Sequence, residues 1–307
     1  MNTEFKFTLQ QWIEFTLDVG CPNNCGYCPQ NVLLNEYYKN DYGRKSSMNL
    51  DDFKNILANI PTHIDIDFAG FGEPFINPQV IDMMRYAASQ GYTIHLFSTL
   101  RGANIKQIEQ LVDIPISSTV IHLPDADGIV NLKVNLEYKS VVSAFHSLGI
   151  NNVEYMSIGN PHPELDGIIK KTIKIRKANS RSNTVKDGDW KTKVDLSNNF
   201  ETDIQKEQPV ICARRLYIKN DSLRPTQSDC AVVLPDGMVV PCCQDWGLKH
   251  PMGNLYNQNY DDIMNSTARL RFEDSMMCKN DDNIICRKCE WGVKWSEEVQ
   301  SRIYTGR

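Results

Sequence analysis

No stretch of the chain approaches the roughly 18 consecutive apolar residues that a membrane-crossing helix needs. The first residues, MNTEFKFTLQQWIEFTLD, lack the basic head and unbroken apolar run of a secretory signal. Positive charge is not in excess. The 307 residues hold 33 Lys and Arg against 38 Asp and Glu, a formal charge of −5. That excludes a global basic field drawing nucleic acid or an anionic membrane surface. Repeats and low-complexity tracts are missing too. Cysteine is absent between residues 29 and 211, although the chain has ten. A cytoplasmic location is therefore expected, with thiols kept reduced and serving metals rather than disulfides.

What is present is an ordinary globular balance, 41% hydrophobic and 23% charged, enough for one large domain and a small one. The cysteines form two groups. Cys21, Cys25 and Cys28 lie near the start, and Cys212, Cys230, Cys242, Cys243, Cys278, Cys286 and Cys289 in the last third. Two metal sites in two structural units is the simplest reading.

Strand-like runs recur at 12–18, 63–69, 92–98, 117–123, 152–158 and 172–177. Helical stretches at 49–60, 77–91 and 136–149 separate them, the last two ending in Gly. Alternating strands and helices imply a parallel sheet with right-handed crossovers. The expected fold class is α/β, a partial (β/α)6 TIM-like barrel over residues 1–180. An open doubly wound sheet is the alternative. A polar connection follows at 181–210, then a small α+β domain at 211–307. Within it, CAVVLPDGMVVPCC (230–243) reads as a hairpin turning at Pro-Asp-Gly, and 260–276 as one helix. The hairpin sets Cys230 roughly opposite Cys242.

The first group has the spacing Cys-x3-Cys-x2-Cys, with Tyr27 before the last cysteine. Three thiolates on a four-iron cluster leave one iron open for chemistry. A zinc ion with a distant fourth ligand also suits the spacing. CPNNCGYC resembles the hallmark of the radical S-adenosylmethionine (SAM) enzymes. The resemblance implies a 4Fe-4S cluster whose open iron chelates SAM, with an electron supplied by a flavodoxin- or ferredoxin-type donor. It also implies SAM contacts at Tyr27, at Phe71, Gly72 and Glu73 in AGFGEP, at Ser98 and at Arg181. In AGFGEP, Phe71 departs from the family's Gly-Gly-Glu-Pro. An ordinary strand-to-helix loop, a helix-start signal and a solvated arginine are the plain readings of these segments. The implied sites all follow the C-terminal ends of successive strands, the active-site end of such barrels.

Residues Gly237 to Cys242 and the terminal CRKC resemble the C-terminal SPASM or twitch extensions of this family. The resemblance implies a second, auxiliary 4Fe-4S cluster on Cys230, Cys242, Cys286 and Cys289, with Cys212 the alternative to Cys230. A four-cysteine zinc knuckle is the other reading of this region. Cys243 is either a buried thiol or a hydrogen donor to a substrate radical. Asp245 is a surface residue or a proton acceptor at the barrel mouth. His122 and Asp125 are substrate candidates by position. The expected substrate is a small polar molecule such as a sugar, nucleotide-sugar or aminocyclitol, oxidised or epimerised. Only about eleven residues precede the first strand, leaving little room for a leader-peptide domain. A ribosomal-peptide maturase is the enzymatic alternative, and a zinc-binding interaction protein the non-enzymatic one.

Overall fold

The computed structural model describes residues 11–26, 28–39, 45–170, 173–176, 209–212, 216–219, 222–225, 230–278, 284–289 and 292–294. Tyr27, Arg181 and the 181–208 connection lie outside them.

The chain begins β1 (Trp12–Phe15), α1 (Gln30–Lys39), α2 (Leu50–Leu57), β2 (Asp65–Phe68), α3 (Val80–Ser89) and β3 (Ile94–Ser98). It continues α4 (Ile105–Glu109), β4 (Ile116–Leu123), α5 (Leu136–Ser147), β5 (Val153–Ile158) and β6 (Ile173–Arg176). Next come β7 (Val210–Cys212), β8 (Leu216–Lys219), β9 (Ser222–Pro225), β10 (Cys230–Val233), β11 (Met238–Val240) and β12 (Gly253–Asn254). The chain's last described elements are α6 (Tyr260–Met264), α7 (Thr267–Met277) and β13 (Gly292–Lys294).

Strands β1 to β6 pair in sequence order, all parallel. A doubly wound sheet would reverse its order at a switch point. Here no reversal occurs, so the crossovers stay on one face and the sheet curls as a partial barrel. The sheet is wider than six strands. β10 pairs parallel with β1 on its other side, and β11 and β12 extend it antiparallel, giving nine strands. Among the described residues the sheet ends at β12 and β6, so the barrel is open there.

Alternation along each strand sorts the residues between two faces. Ile13, Phe15, Ile66, Phe68, Ile94, Leu96, Ile121 and Leu123 pack against buried residues of the helices α2, α3 and α5. The Phe53 ring of α2 lies 4.9 Å from Phe15 and 5.8 Å from Phe68. Ala231 and Val233 carry this core into β10. The alternate positions Glu14, Asp67, Phe97, Val120, His122 and Met156 line the barrel cavity.

The expected helix at 260–276 is two. Asn265 ends α6, and Ser266 starts α7 by accepting a hydrogen bond from the Arg269 N–H at 3.1 Å. A cap inside a helical pattern restarts the helix. α1 was not expected. It buries only Gln30, Leu33 and Tyr37, a narrow stripe with weak periodicity. At the hairpin turn Gly237 has φ +83°, and a Cβ there would lie 2.4 Å from the Tyr256 ring, so only glycine fits.

Candidate functional site

The loop after β1 gathers the first three cysteines by tight turns. The Asn24 N–H donates to the Cys21 carbonyl at 3.2 Å and the Cys28 N–H to that of Cys25 at 3.0 Å. All three cysteines line one cavity of about 440 Å³ at the C-terminal ends of the strands. Burial pushes the Cys21 thiol up to about 12, with Glu73 and Cys28 adding to the rise against the Asn23 and Asn24 backbone groups. A thiol so placed keeps its proton unless a positive centre displaces it, as bound iron does. Among the described residues, no three His, Cys, Asp or Glu side chains gather at the spacing of a single-ion site. Thiolates bound to different corners of a cubane stand farther apart than the ligands of one ion.

Gln30, at the start of α1, ties this loop to the one after β2. Its Oε1 accepts from the Cys21 N–H at 3.2 Å and its Nε2 donates to the Phe71 carbonyl at 2.6 Å. Gln30 is buried, so both partners depend on it. Replacing it with Leu leaves a partly buried N–H and a buried C=O without this partner. The expected cost is about 1–3 kcal/mol for each, read as a lower urea midpoint.

The AGFGEP loop needs glycine on both sides of Phe71. A Cβ on Gly70 would lie 2.2 Å from Thr16 Oγ1, and one on Gly72 2.6 Å from the Asp18 carbonyl. Between them Phe71 turns away and packs on Trp246, ring centroids 4.8 Å apart. Its departure from Gly-Gly-Glu-Pro is thus a packing contact with the C-terminal part of the chain.

Glu73 is buried and accepts four hydrogen bonds. Ser98 Oγ, Thr99 N, Thr99 Oγ1 and Phe75 N donate at 2.6, 2.7, 2.7 and 3.2 Å. Burial pushes its carboxyl up while these donors pull it down, and burial wins. Glu73 and Ser98 both border the cavity, but their main observed work is to fasten the ends of β2 and β3 together. Asn23 joins the same network, its Nδ2 donating to Thr99 Oγ1 at 3.0 Å.

The later expectations divide. His122 lines the cavity. Asp125 is not among the lining residues, and its carboxylate accepts from the N–H groups of Asp127, Ile129 and Val130, which shapes its own loop. For Asp245 the surface reading is corrected. It is fully buried, with its oxygens accepting from Lys249 N and His250 N, both at 2.9 Å. Short acids in loops cap nearby backbone donors, which competes with reaching a ligand. Cys243 does line the cavity, beside Gln244 and Trp246.

The hairpin pairs Val232 with Val240 and Val233 with Val239. The same register, carried two residues on, sets Cys230 across from Cys242. Burial raises the Cys242 thiol well above its usual range, and Cys230, Cys243, Cys286 and Cys289 raise it further. These thiols are therefore within electrostatic reach of Cys242. Cys212 sits on β7 opposite Gly292 of β13, and Cys278 is exposed at the end of α7. The sequence reading missed Glu14, Asn23, Gln30, Asp67, Gln244 and Trp246. Strand alternation in WIEF and DIDF was the available signal for Glu14 and Asp67.

Residues 225–290 match the SPASM family, an iron–sulfur cluster-binding domain. The range includes the four expected auxiliary ligands and leaves out Cys212. No curated protein matches the sequence significantly. Among solved structures, BtrN in complex with AdoMet and 2-DOIA matches with a TM-score of 0.53 at 14% identity, covering 94% of this chain and 95% of that one. Native anSMEcpe with bound AdoMet and Cp18Cys peptide matches at 0.53 and 12%, covering 92% and 87%. Streptococcus suis SuiB bound to precursor peptide SuiA matches at 0.50 and 10%, covering 92% and 71%. At such identities the likeness is one of fold. The CxxxCxxC loop thus lies at the mouth of an open barrel of the fold these structures share, followed by a stretch that matches a SPASM domain.

Proposed function

We propose that the chain cleaves SAM reductively and abstracts hydrogen from a small polar substrate, for oxidation or epimerisation. Cys21, Cys25 and Cys28 would hold the SAM-binding 4Fe-4S cluster. Cys230, Cys242, Cys286 and Cys289 would hold the auxiliary one. The single observation that carries this reading is the shared cavity. The first thiol group, the Glu73 network and the C-terminal residues Cys243, Gln244 and Trp246 all line it. When bound, the cluster and SAM supply a 5′-deoxyadenosyl radical.

The chain's own residues orient and shield. Gln30 and Glu73 lock the three loops that border the cavity. Phe71 and Trp246 close its C-terminal side and exclude water. Cys243, which is buried and lines the cavity, would give its S–H hydrogen to a substrate carbon radical. That forms a C–H bond and leaves a sulfur radical, which must regain one electron and one proton. A flavodoxin- or ferredoxin-type donor is the expected electron source. A peptide substrate is the second reading, favoured by one observation. The peptide complex of anSMEcpe matches the fold as well as BtrN does.

Anaerobic reconstitution is expected to load about eight irons per chain. With dithionite and SAM it should release 5′-deoxyadenosine. Zinc in place of iron, or intact SAM in iron-loaded protein, would end this reading. In D2O, one deuterium in the product, lost in Cys243→Ala, marks epimerisation. A product without solvent deuterium marks oxidation.

A further inference from the structure

Among the described residues, the charged side chains that line the cavity are acidic. Glu14 and Asp67 stand directly opposite each other on β1 and β2, adjacent parallel strands. Both side chains face the cavity, and the residues are only 6% and 7% exposed. Glu73 adds a third carboxylate, but its four donors already occupy it. Among the described residues lining the cavity there is no Lys or Arg. Two acidic side chains on neighbouring strands can share one cationic group between them. Both also have partners within the protein, so a ligand would add to contacts that already hold them in place.

A second observation points the same way. Asn23 and Gln244, 1% and 4% exposed, also line the cavity. The Asn23 Oδ1 and Gln244 Oε1 atoms are buried with no hydrogen-bond partner. The amide nitrogen of each is directed elsewhere, to Thr99 Oγ1 at 3.0 Å and to Cys243 Sγ at 4.0 Å. What remains for a ligand is therefore two acceptors, and buried acceptors in native proteins are normally satisfied. Asn23 belongs to the cluster loop. Glu14, Asp67 and Gln244 do not, and they come from the barrel wall and the C-terminal turn.

We propose that the substrate carries a protonated amine, seated at Glu14 and Asp67, with a neighbouring N–H or O–H donating to Gln244 Oε1. This rests on the radical reading of the cavity and narrows its substrate class. Aminated polyols fit such a site. Nucleotide-sugars and other phosphates do not, because their charge has the wrong sign for it.

The test is calorimetric binding to the reconstituted, SAM-loaded full chain under anaerobic conditions. The probes are streptamine and glucosamine, their N-acetylated forms, myo-inositol, and UDP-glucose. An amino polyol is expected to bind, with N-acetylation weakening it at least about tenfold. Glu14→Gln and Asp67→Asn are each expected to weaken it at least about tenfold, and Glu14→Asp to restore part of the loss. Iron content of each variant reports whether it has folded. Tighter binding of myo-inositol or UDP-glucose, no binding by either amine, or wild-type affinity in both neutral variants would overturn the proposal. Wild-type protein that fails to bind SAM would overturn the radical reading itself. SAM binding with no preference for amines would overturn the substrate assignment alone.

Discussion

Replacing Cys25 with serine is expected to bring SAM cleavage down to the uncatalysed background while leaving the fold in place. Cys25 is buried and packs with Ile129, Val130 and Ile158. Serine nearly matches its volume, so the packing change is small. Its hydroxyl is a poor iron ligand. Losing a residue that merely supports a metal ligand costs 10- to 100-fold, and losing a ligand of a three-thiolate cluster should exceed about a hundredfold. Iron should fall from about eight to about four per chain, with the auxiliary cluster retained. Iron analysis and 5′-deoxyadenosine assay on one sample check this. Full activity in Cys25→Ser would remove the thiol trio from the chemistry.

The second large effect is expected from Trp246→Ala. Trp246 is fully buried, packs with Leu33, Tyr37, Leu234 and Val240, and stacks on Phe71. Truncating a buried aromatic of this size costs about 3–5 kcal/mol. Against a typical total of about 5–15 kcal/mol, that is a large share. The effect should not stop at stability. Trp246 also walls the cavity, so its loss admits water and frees the AGFGEP loop from the C-terminal domain. A lower urea midpoint should therefore come with more SAM cleaved per product formed. Trp246→Phe, which keeps a ring against Phe71, should recover much of both. A midpoint unchanged in Trp246→Ala would mean that the contact does not join the two parts of the chain.

Much of the framework was legible in advance. The boundaries of the six parallel strands fall within three residues of the sequence runs that announced them, because alternation of buried and lining positions leaves a period-two mark. The hairpin register followed from its turn residues, and with it the approach of Cys230 to Cys242. The split between α6 and α7 was a missed capping signal at Ser266. Asp125 and Asp245 were less legible for another reason. A loop carboxylate can serve a ligand or its own backbone, and residue type and position do not say which. Here nearby N–H groups bond to both.

The spacing of the first three cysteines, the succession of strands and helices and the paired thiols of the last third belong to the sequence alone, since each is a local pattern with a local physical cause. The tertiary structure decided what those patterns meet. It laid β10 beside β1, so that one sheet carries both parts of the chain. It turned Phe71 onto Trp246, brought Gln244 and Cys243 to the first thiol group, and set Glu14 facing the same space as Asp67. Those contacts join residues far apart along the chain. They depend on which strand edges pair and which side chains share a wall, and neither leaves a mark in the neighbouring sequence.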